Sequence, residues 1–189
     1  MIATTQDLMV LTEAEFDLLP EDGVFEVVDG RAILLPGNDI PHQKIVVALW
    51  DVFRRQLAPC KRAFVIPQAN VFIPRPPDSL GGIQNRVPDL VVASFEPEQR
   101  FHAGEAPELV VEVLTTRRGN VERTEKMDDY ALAGIGEYWI VNPEEETIMV
   151  LKLEGSAYVA HGVFHRGDTA TSVLLQGFAV SVDAVCDAE

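Results

Sequence analysis

The stretch "PELVVEVLTT", residues 107–116, decides the fold of this chain. Its central part is apolar on both sides, as expected of a short strand that is covered on both faces of a sheet. Glu112 nevertheless lies in its middle. An ionised carboxylate inside an apolar layer costs several kcal/mol unless a partner compensates its charge. The stretch therefore predicts a buried strand and requires a partner for Glu112.

Size and composition predict one folded domain. The chain has 189 residues, of which 47% are hydrophobic. That length is typical of one domain and can bury a core, and the hydrophobic content excludes a disordered chain. No repeat, low-complexity tract or long linker divides the sequence, so a single domain over residues 1–189 is expected.

The sequence has no signal for a membrane or for export. Apolar runs such as "IVVALW" are far shorter than the roughly 20 residues that span a bilayer. The N-terminus lacks a basic segment followed by an apolar one, so no signal peptide is predicted. The cysteines, Cys60 and Cys186, are too few for a zinc site and predict free thiols in a reducing cytoplasm.

The net charge of −15, with a pI near 4.6, argues against a general nucleic-acid binder, because phosphate affinity comes from clustered Lys and Arg. A ligand responds to the local field, however, and not to the net charge. A basic groove on an acidic body stays open, because basic residues occur in pairs, at Arg54 and Arg55, Lys61 and Arg62, and Arg117 and Arg118.

The first half of the chain alternates helix and strand signals. Thr12 and Glu15 have capping-box spacing before a short helix that Pro20 ends, and Asp29-Gly30 separates two apolar runs as in a β-hairpin. Apolar residues at helical spacing predict an amphipathic helix over residues 42–57. "FVIPQANVFI" (residues 64–73) is then predicted as one strand, interrupted by a proline, and residues 74–82 as a proline- and glycine-rich loop.

The second half predicts more strands and one long helix. "PDLVVAS" and "PELVVEVL" are short apolar strands, and "NVERTEKMDDYALAGIG" is a helix with Asn120 as N-cap and Gly134 or Gly136 at its end. "EYWIV", "TIMVLKL", "AYVAHGVF" and "ATSVLL" are predicted as further strands. The simplest architecture is one α/β domain, a mixed central β-sheet flanked by a long helix on each side.

Two acidic residues can converge in this fold. Alternation places Glu112 on the same strand face as Val110 and Leu114, while Asp89 stands at the start of the strand "PDLVVAS". If the two strands are neighbours, the carboxylates meet. Two such oxygen donors, completed by a main-chain carbonyl and water, form a Mg²⁺ or Mn²⁺ site of the kind that cleaves phosphodiesters.

A cationic side chain usually accompanies such a site and stabilises the charge that develops in the reaction. Glu122, Lys126 and Tyr130 follow one another at intervals of four, so they line one stripe of the predicted helix. If this stripe faces the carboxylates, Lys126 reaches the metal site.

The ordered motifs of this chain resemble the Uma-two family, whose members are described as restriction endonucleases of the PD-(D/E)XK superfamily. The similarity covers residues 11–153. It rests on "FEVVDG", a histidine opening a helix, "PDLVVAS", "PELVVEVL", a lysine in the next helix, and "YALAGIGEYWIVNP", the most individual motif.

This resemblance implies a restriction-endonuclease-like fold and a Mg²⁺- or Mn²⁺-dependent endonuclease that acts on DNA, in particular on duplex DNA. Asp89, Glu112 and the Val113 carbonyl would then hold the metal, and Lys126 would take the place of the superfamily lysine, whose usual position is Leu114 here. The family's hairpin glutamate and helix-opening histidine correspond to Glu26 and His42. Cutting both strands of a duplex favours a homodimer.

The chain departs from the family pattern at two places. Residues 115–118 are Thr-Thr-Arg-Arg where the family has a Ser-Pro-Ser-Thr-like turn, and Glu122 stands where it has an aspartate. The first departure bears on how substrate is held, and the second keeps the charge but lengthens the side chain. Both leave open whether this chain is catalytically active.

Simpler explanations exist for each residue. Glu112 could pair with a structural arginine, Asp89 could be a turn residue at a strand entry, and Lys126 could be solvated. Glu26 could simply flank the hairpin and His42 the helix start. Two other functions therefore stand beside the nuclease: a non-catalytic nucleic-acid or protein interaction module, and a metal-dependent hydrolase of a smaller phosphoester, for which an acidic surface is no obstacle.

Overall fold

The computed structural model describes residues 10–37, 39–59, 63–75, 82–114 and 120–188 of the chain, without the side chains of residues 120–124. In chain order its elements are α1 (Glu13–Phe16), β1 (Phe25–Val28), β2 (Arg31–Leu34), α2 (Ile40–Leu57), β3 (Phe64–Pro67), β4 (Val71–Phe72), β5 (Asn85–Arg86), β6 (Leu90–Ala93), β7 (Leu109–Val113), α3 (Asn120–Ala133), β8 (Glu137–Asn142), β9 (Thr147–Glu154), β10 (Ala157–His165), β11 (Thr169–Thr171), β12 (Ala179–Ser181) and α4 (Val182–Cys186).

The largest element is a six-stranded mixed sheet with the strand order β10-β9-β8-β7-β6-β3. β7 pairs in parallel with β8, and the remaining neighbours pair antiparallel. β7 is thus an inner strand, and all five of its residues are buried, as its apolar composition predicts.

The core lies on both faces of this sheet. On one face Val111 and Trp139 pack with Leu49 and Phe53 of α2. On the other face Val110, Ile140 and Tyr138 pack with Tyr130 of α3. The predicted mixed sheet with a long helix on each side is therefore confirmed.

A second, four-stranded sheet has the order β2-β1-β5-β4. The turn of its hairpin is formed by Asp29 and Gly30. Both have a positive φ, 50° and 73°, as expected of an Asp-Gly pair in a two-residue hairpin turn. The prediction of one strand for residues 64–73 is wrong: β3 belongs to the large sheet and β4 to the small one. The chain changes sheets between them, near Gln68, whose φ is also positive.

The helix ends follow their local signals with small differences. α1 has the predicted capping box between Thr12 and Glu15, but ends at Phe16, before Pro20. α2 begins at Ile40 with Asp39 as its N-cap. Asn120 is the first helical residue of α3 and not its N-cap.

The end of α3 is a Schellman motif, as the glycine there predicts. Gly134 has a φ of +80° and donates its N–H to the carbonyl of Ala131, while Ile135 donates to Tyr130.

A buried glutamate organises the C-terminal region. Glu137 of β8 accepts hydrogen bonds from the hydroxyl of Ser172 and the backbone N–H groups of Val173 and Leu174. The segment "ATSVLL" is therefore a strand only at β11, because its later residues turn to cap this carboxylate. The backbone thus compensates a charge that no cation contacts in the described part of the chain.

No helix among the described residues is both long and apolar enough to cross a membrane. Cys186 is a partly buried free thiol, and Cys60 lies outside the described residues.

Candidate functional site

The site is built on the pairing of β6 with β7. Leu90 pairs with Val111 in an antiparallel register, so Asp89, the residue directly before β6, and Glu112 lie at the same end of the two strands. Both residues are buried, with 8% and 7% of their surface exposed. The negative charge of Asp89 contributes to the raised pKa of Glu112, so the two acids predicted to converge lie close together.

Asp89 is held by α2 and by the end of β7. Its Oδ2 accepts a hydrogen bond of 2.7 Å from the Val113 N–H and lies 3.1 Å from Nε2 of His42. Burial by itself lowers the pKa of His42, but the hydrogen bond and charge of Asp89 outweigh it, and that pKa is raised. Nδ1 of the buried His42 has no hydrogen-bond partner among the described residues.

Glu112 is held by α3. Nζ of Lys126 lies 2.8 Å from Oε1 of Glu112, and the hydroxyl of Tyr130 donates to the same oxygen at 2.6 Å. Lys126 and Tyr130 are four residues apart and so lie on the same side of the helix. Both contacts use Oε1 of Glu112.

For both Glu112 and Lys126, burial and the charge of the partner shift the pKa in opposite directions. Burial raises the pKa of Glu112 to about 7, against the lowering effect of Lys126, and the negative charges of Asp89 and Glu26 add to the rise. For Lys126, burial favours the neutral amine, but Glu112 and Glu26 outweigh it and raise the pKa. Lys126 is therefore a buried ammonium between two carboxyl groups.

Glu26, on the first hairpin, completes the surroundings of Lys126. Its Oε1 lies 2.9 Å from Nζ of Lys126, and its Oε2 accepts from NH1 of Arg86 at 3.1 Å. Burial raises the pKa of Glu26, but Lys126 and then Arg86 outweigh it, so that pKa is lowered. The structure thus brings all five predicted side chains, Asp89, Glu112, Lys126, Glu26 and His42, into one connected group.

Sequence reasoning missed three members of this group. The predicted helix stripe places Tyr130 beside Lys126 but gives its hydroxyl no role, whereas that hydroxyl donates to Glu112. No motif or periodicity in the sequence indicated a role for Arg86 or Asp129. Arg86 lies opposite Glu26, and Asp129 accepts a hydrogen bond from Nε of Arg86 at 2.6 Å. The spacing of Asp129 and Tyr130 after Lys126 was the available signal, because residues three and four apart share a helix face.

A small cavity of about 70 Å³ borders Asp89. Residues that flank strands of the small sheet line the cavity with apolar groups, namely Val24 before β1, Leu35 after β2 and Val87 after β5. The exposed Gln68 contributes a polar rim, and its backbone N–H donates to the main-chain carbonyl of Asp89. Asp89 can therefore be approached from outside at this point.

The acids fit a hard divalent cation. Within the described residues, no three or more His, Cys, Asp and Glu side chains form a ready metal cluster. Asp89 and Glu112 nevertheless supply two adjacent carboxylates, and Mg²⁺ and Mn²⁺ complete such a set with main-chain oxygen and water. A cation would also offset the cost of burying the charged form of Glu112, whose pKa burial raises.

Other expectations fall outside the described part of the chain. Residues 115–118, which depart from the family turn, are not described, nor is the side chain of Glu122. The same holds for Lys61 and Arg62 of the basic pairs. Arg54 lies over the ring of Trp50, and Arg55 forms an ion pair with Asp51 within α2.

The fold is that of a solved protein described as "a putative nuclease belonging to DUF820" from Anabaena variabilis ATCC 29413. The TM-score is 0.75 at 19% identity, over 94% of this chain and 98% of that one. The two proteins therefore have the same fold class. A family model described as "Uma2: Putative restriction endonuclease" matches residues 13–183. The chain belongs to the Uma2 family, which confirms the resemblance seen in its motifs. No curated protein matches it in sequence.

Proposed function

We propose that this protein is a metal-dependent endonuclease that hydrolyses phosphodiester bonds of DNA. The observation that carries the proposal is the pair Asp89, directly before β6, and Glu112 of the neighbouring strand β7, which interact electrostatically, with the Lys126 ammonium 2.8 Å from Glu112. Membership of the Uma2 family supports the nuclease class. Two carboxylates beside a lysine match the needs of phosphodiester hydrolysis, in which negative charge builds up on the phosphate.

In this proposal Asp89, Glu112 and the main-chain carbonyl of Val113 hold Mg²⁺ or Mn²⁺. When bound, such an ion lowers the pKa of a coordinated water and neutralises charge on the phosphate. The His42 ring holds Oδ2 of Asp89, which fixes the direction of that carboxylate. The same oxygen accepts a hydrogen bond from the Val113 N–H, so β7 also orients the Asp89 carboxylate.

Lys126 has the role of orienting the attacking water and stabilising the developing charge. Its raised pKa keeps it an ammonium, which donates hydrogen bonds and cannot act as a base at neutral pH. Glu26 also contacts this ammonium, at 2.9 Å. The protonated amine therefore stays directed at the carboxylates before substrate arrives.

The substrate in this proposal is duplex DNA, and the active form is a homodimer, because two-fold symmetry presents one site to each strand. The net charge of −15 favours a second candidate, a hydrolase of a smaller phosphoester, which needs no basic groove. Both candidates use the same carboxylates, so they differ only in substrate.

Three measurements separate the candidates. The first is titration calorimetry with Mn²⁺ on the wild type, Glu112→Gln and Asp89→Asn. The second is nicking of supercoiled plasmid with Mg²⁺ or Mn²⁺. The third is hydrolysis of bis(p-nitrophenyl) phosphate. Glu145→Gln, which alters an exposed glutamate of the β8–β9 turn, is the matched control.

The proposal expects Mn²⁺ binding and plasmid nicking in the wild type and in Glu145→Gln, and loss of both in the two site variants. Hydrolysis of the small diester without nicking would instead establish the second candidate. No Mn²⁺ binding, with no cleavage of either substrate, would overturn both and leave an interaction module.

A further inference from the structure

Arg86 of β5 is a buried arginine with two acidic partners. Only 3% of its side chain is exposed. NH1 donates to Oε2 of Glu26 at 3.1 Å, and Nε donates to Oδ2 of Asp129 at 2.6 Å. Burial lowers the pKa of Arg86, but Asp129 and Glu26 outweigh it, so the guanidinium stays charged. Its rigid, planar donors fix the directions of both contacts.

Both acidic partners also bear on Lys126. Glu26 contacts Nζ of Lys126 with its other carboxylate oxygen, at 2.9 Å. Asp129 lies three residues after Lys126 in α3, so the two side chains leave the helix on the same side. Arg86 therefore fixes both a carboxylate that holds the ammonium and the helix that carries it.

We propose that Arg86 is a positioning residue that sets where the Lys126 ammonium lies relative to Glu112. The inference deepens the proposed function and rests on it. Without Arg86, Glu26 would lose the partner that balances its pull on Lys126, and α3 would lose its ion pair to β5. The ammonium would then shift towards Glu26, and a misplacement of about 1 Å can cost about a hundredfold in rate.

The matched control is Arg100, another arginine with an acidic partner and little exposed surface, 12% of its side chain. It forms an ion pair with Asp17 and lies over the rings of Phe16 and Phe72, and the contacts described for it do not include Glu26 or Asp129. Arg100→Lys therefore makes the same chemical change as Arg86→Lys away from the residues that contact Lys126.

The experiment measures kcat and KM for plasmid nicking and the Kd for Mn²⁺ in the full chain. The variants are Arg86→Lys, Asp129→Asn and Arg100→Lys. We expect Arg86→Lys to lower kcat about a hundredfold with KM and the Mn²⁺ Kd unchanged. Asp129→Asn should lower kcat in the same sense, and Arg100→Lys should match the wild type. A merely structural arginine would change kcat, KM and metal binding together.

The proposal is overturned if Arg86→Lys retains the wild-type kcat, if Arg100→Lys loses as much, or if KM and the Mn²⁺ Kd deteriorate along with kcat. If the wild type itself cuts no nucleic acid, the proposed function fails, and the positioning is tested by thermal unfolding instead. Arg86→Gln, Lys126→Gln and the double variant are then compared. A Tm loss in the double variant that is smaller than the sum of the single losses supports the coupling through Glu26, and additive losses refute it.

Discussion

The Lys126 ammonium lies 2.8 Å from Oε1 of Glu112, and both side chains are buried. Among the described residues, the partner of the glutamate inside the apolar strand is thus a lysine from a later helix, and not the structural arginine that was its simplest alternative. Arg86 contacts Glu26 instead. A metal ion can balance part of the negative charge that the lysine balances in the metal-free protein, and this predicts measurable effects.

Replacing Lys126 with methionine should destabilise the metal-free protein strongly. The change leaves Glu112 and Glu26 buried without their shared cation, and breaking a buried pair in this way costs about 3–5 kcal/mol. Mn²⁺ should restore part of the loss, so its addition should raise the Tm more in the variant than in the wild type. Lys44→Met, on the exposed side of α2, is the control, and an equal Tm loss in both variants would contradict the buried pair.

The stability of the metal-free protein should depend on the protonation of Glu112. Burial raises the pKa of Glu112 to about 7, whereas the unfolded chain releases this proton near 4.5. The folded state thus binds more protons between these values, so the contribution of Glu112 to stability falls as the pH rises from about 4.5 to about 7.

Glu112→Gln removes this fall because the amide does not titrate. Urea unfolding in the presence of chelator should therefore show the variant gaining stability relative to the wild type across that range. Glu145→Gln, at an exposed position, should follow the wild type. Parallel profiles for the wild type and Glu112→Gln would refute the raised pKa of Glu112.

Mn²⁺ binding should release a proton when the pH is below 7. A metal-bound carboxylate must be ionised, and the pKa of Glu112 is raised to about 7, so binding at lower pH displaces its proton. Calorimetry in buffers of different ionisation enthalpy measures that release. His42→Gln tests a further group at the site with a raised pKa, the imidazole that contacts Asp89. If the release disappears in that variant, the proton comes from His42 and not from Glu112.

Tyr130→Phe should weaken the site without changing its shape. The hydroxyl donates to Oε1 of Glu112 at 2.6 Å, and a hydrogen bond to a charged group contributes about 1.5–3 kcal/mol. The variant should lose stability and cut more slowly. Tyr158→Phe also removes a hydroxyl, one that donates to the carbonyl of Ile135, and it should cost only about 0.5–1.5 kcal/mol and leave cutting unchanged. Equal cutting rates in the two variants would remove Tyr130 from the site.

Much of the site follows from local patterns. Strand alternation places Glu112 with Val110, helix periodicity places Lys126 with Tyr130, and the family motifs select Asp89, Glu26 and His42. Arg86 could not be found in this way. β5 has only two residues, too few for a period, and the contact between Arg86 and Asp129 joins positions 43 residues apart.

The hairpin at Asp29 and Gly30, the buried strand around Glu112 and the amphipathic face of α2 were determined by sequence alone, because each depends on backbone preferences or periodicity within a few residues. Only the tertiary structure decided that residues 64–73 divide between two sheets, and that Lys126 and Tyr130 both reach Glu112. Those outcomes depend on which strands pair and how α3 is rotated against the sheet. Packing of the whole core selects these arrangements, and neighbouring residues in the chain do not encode them.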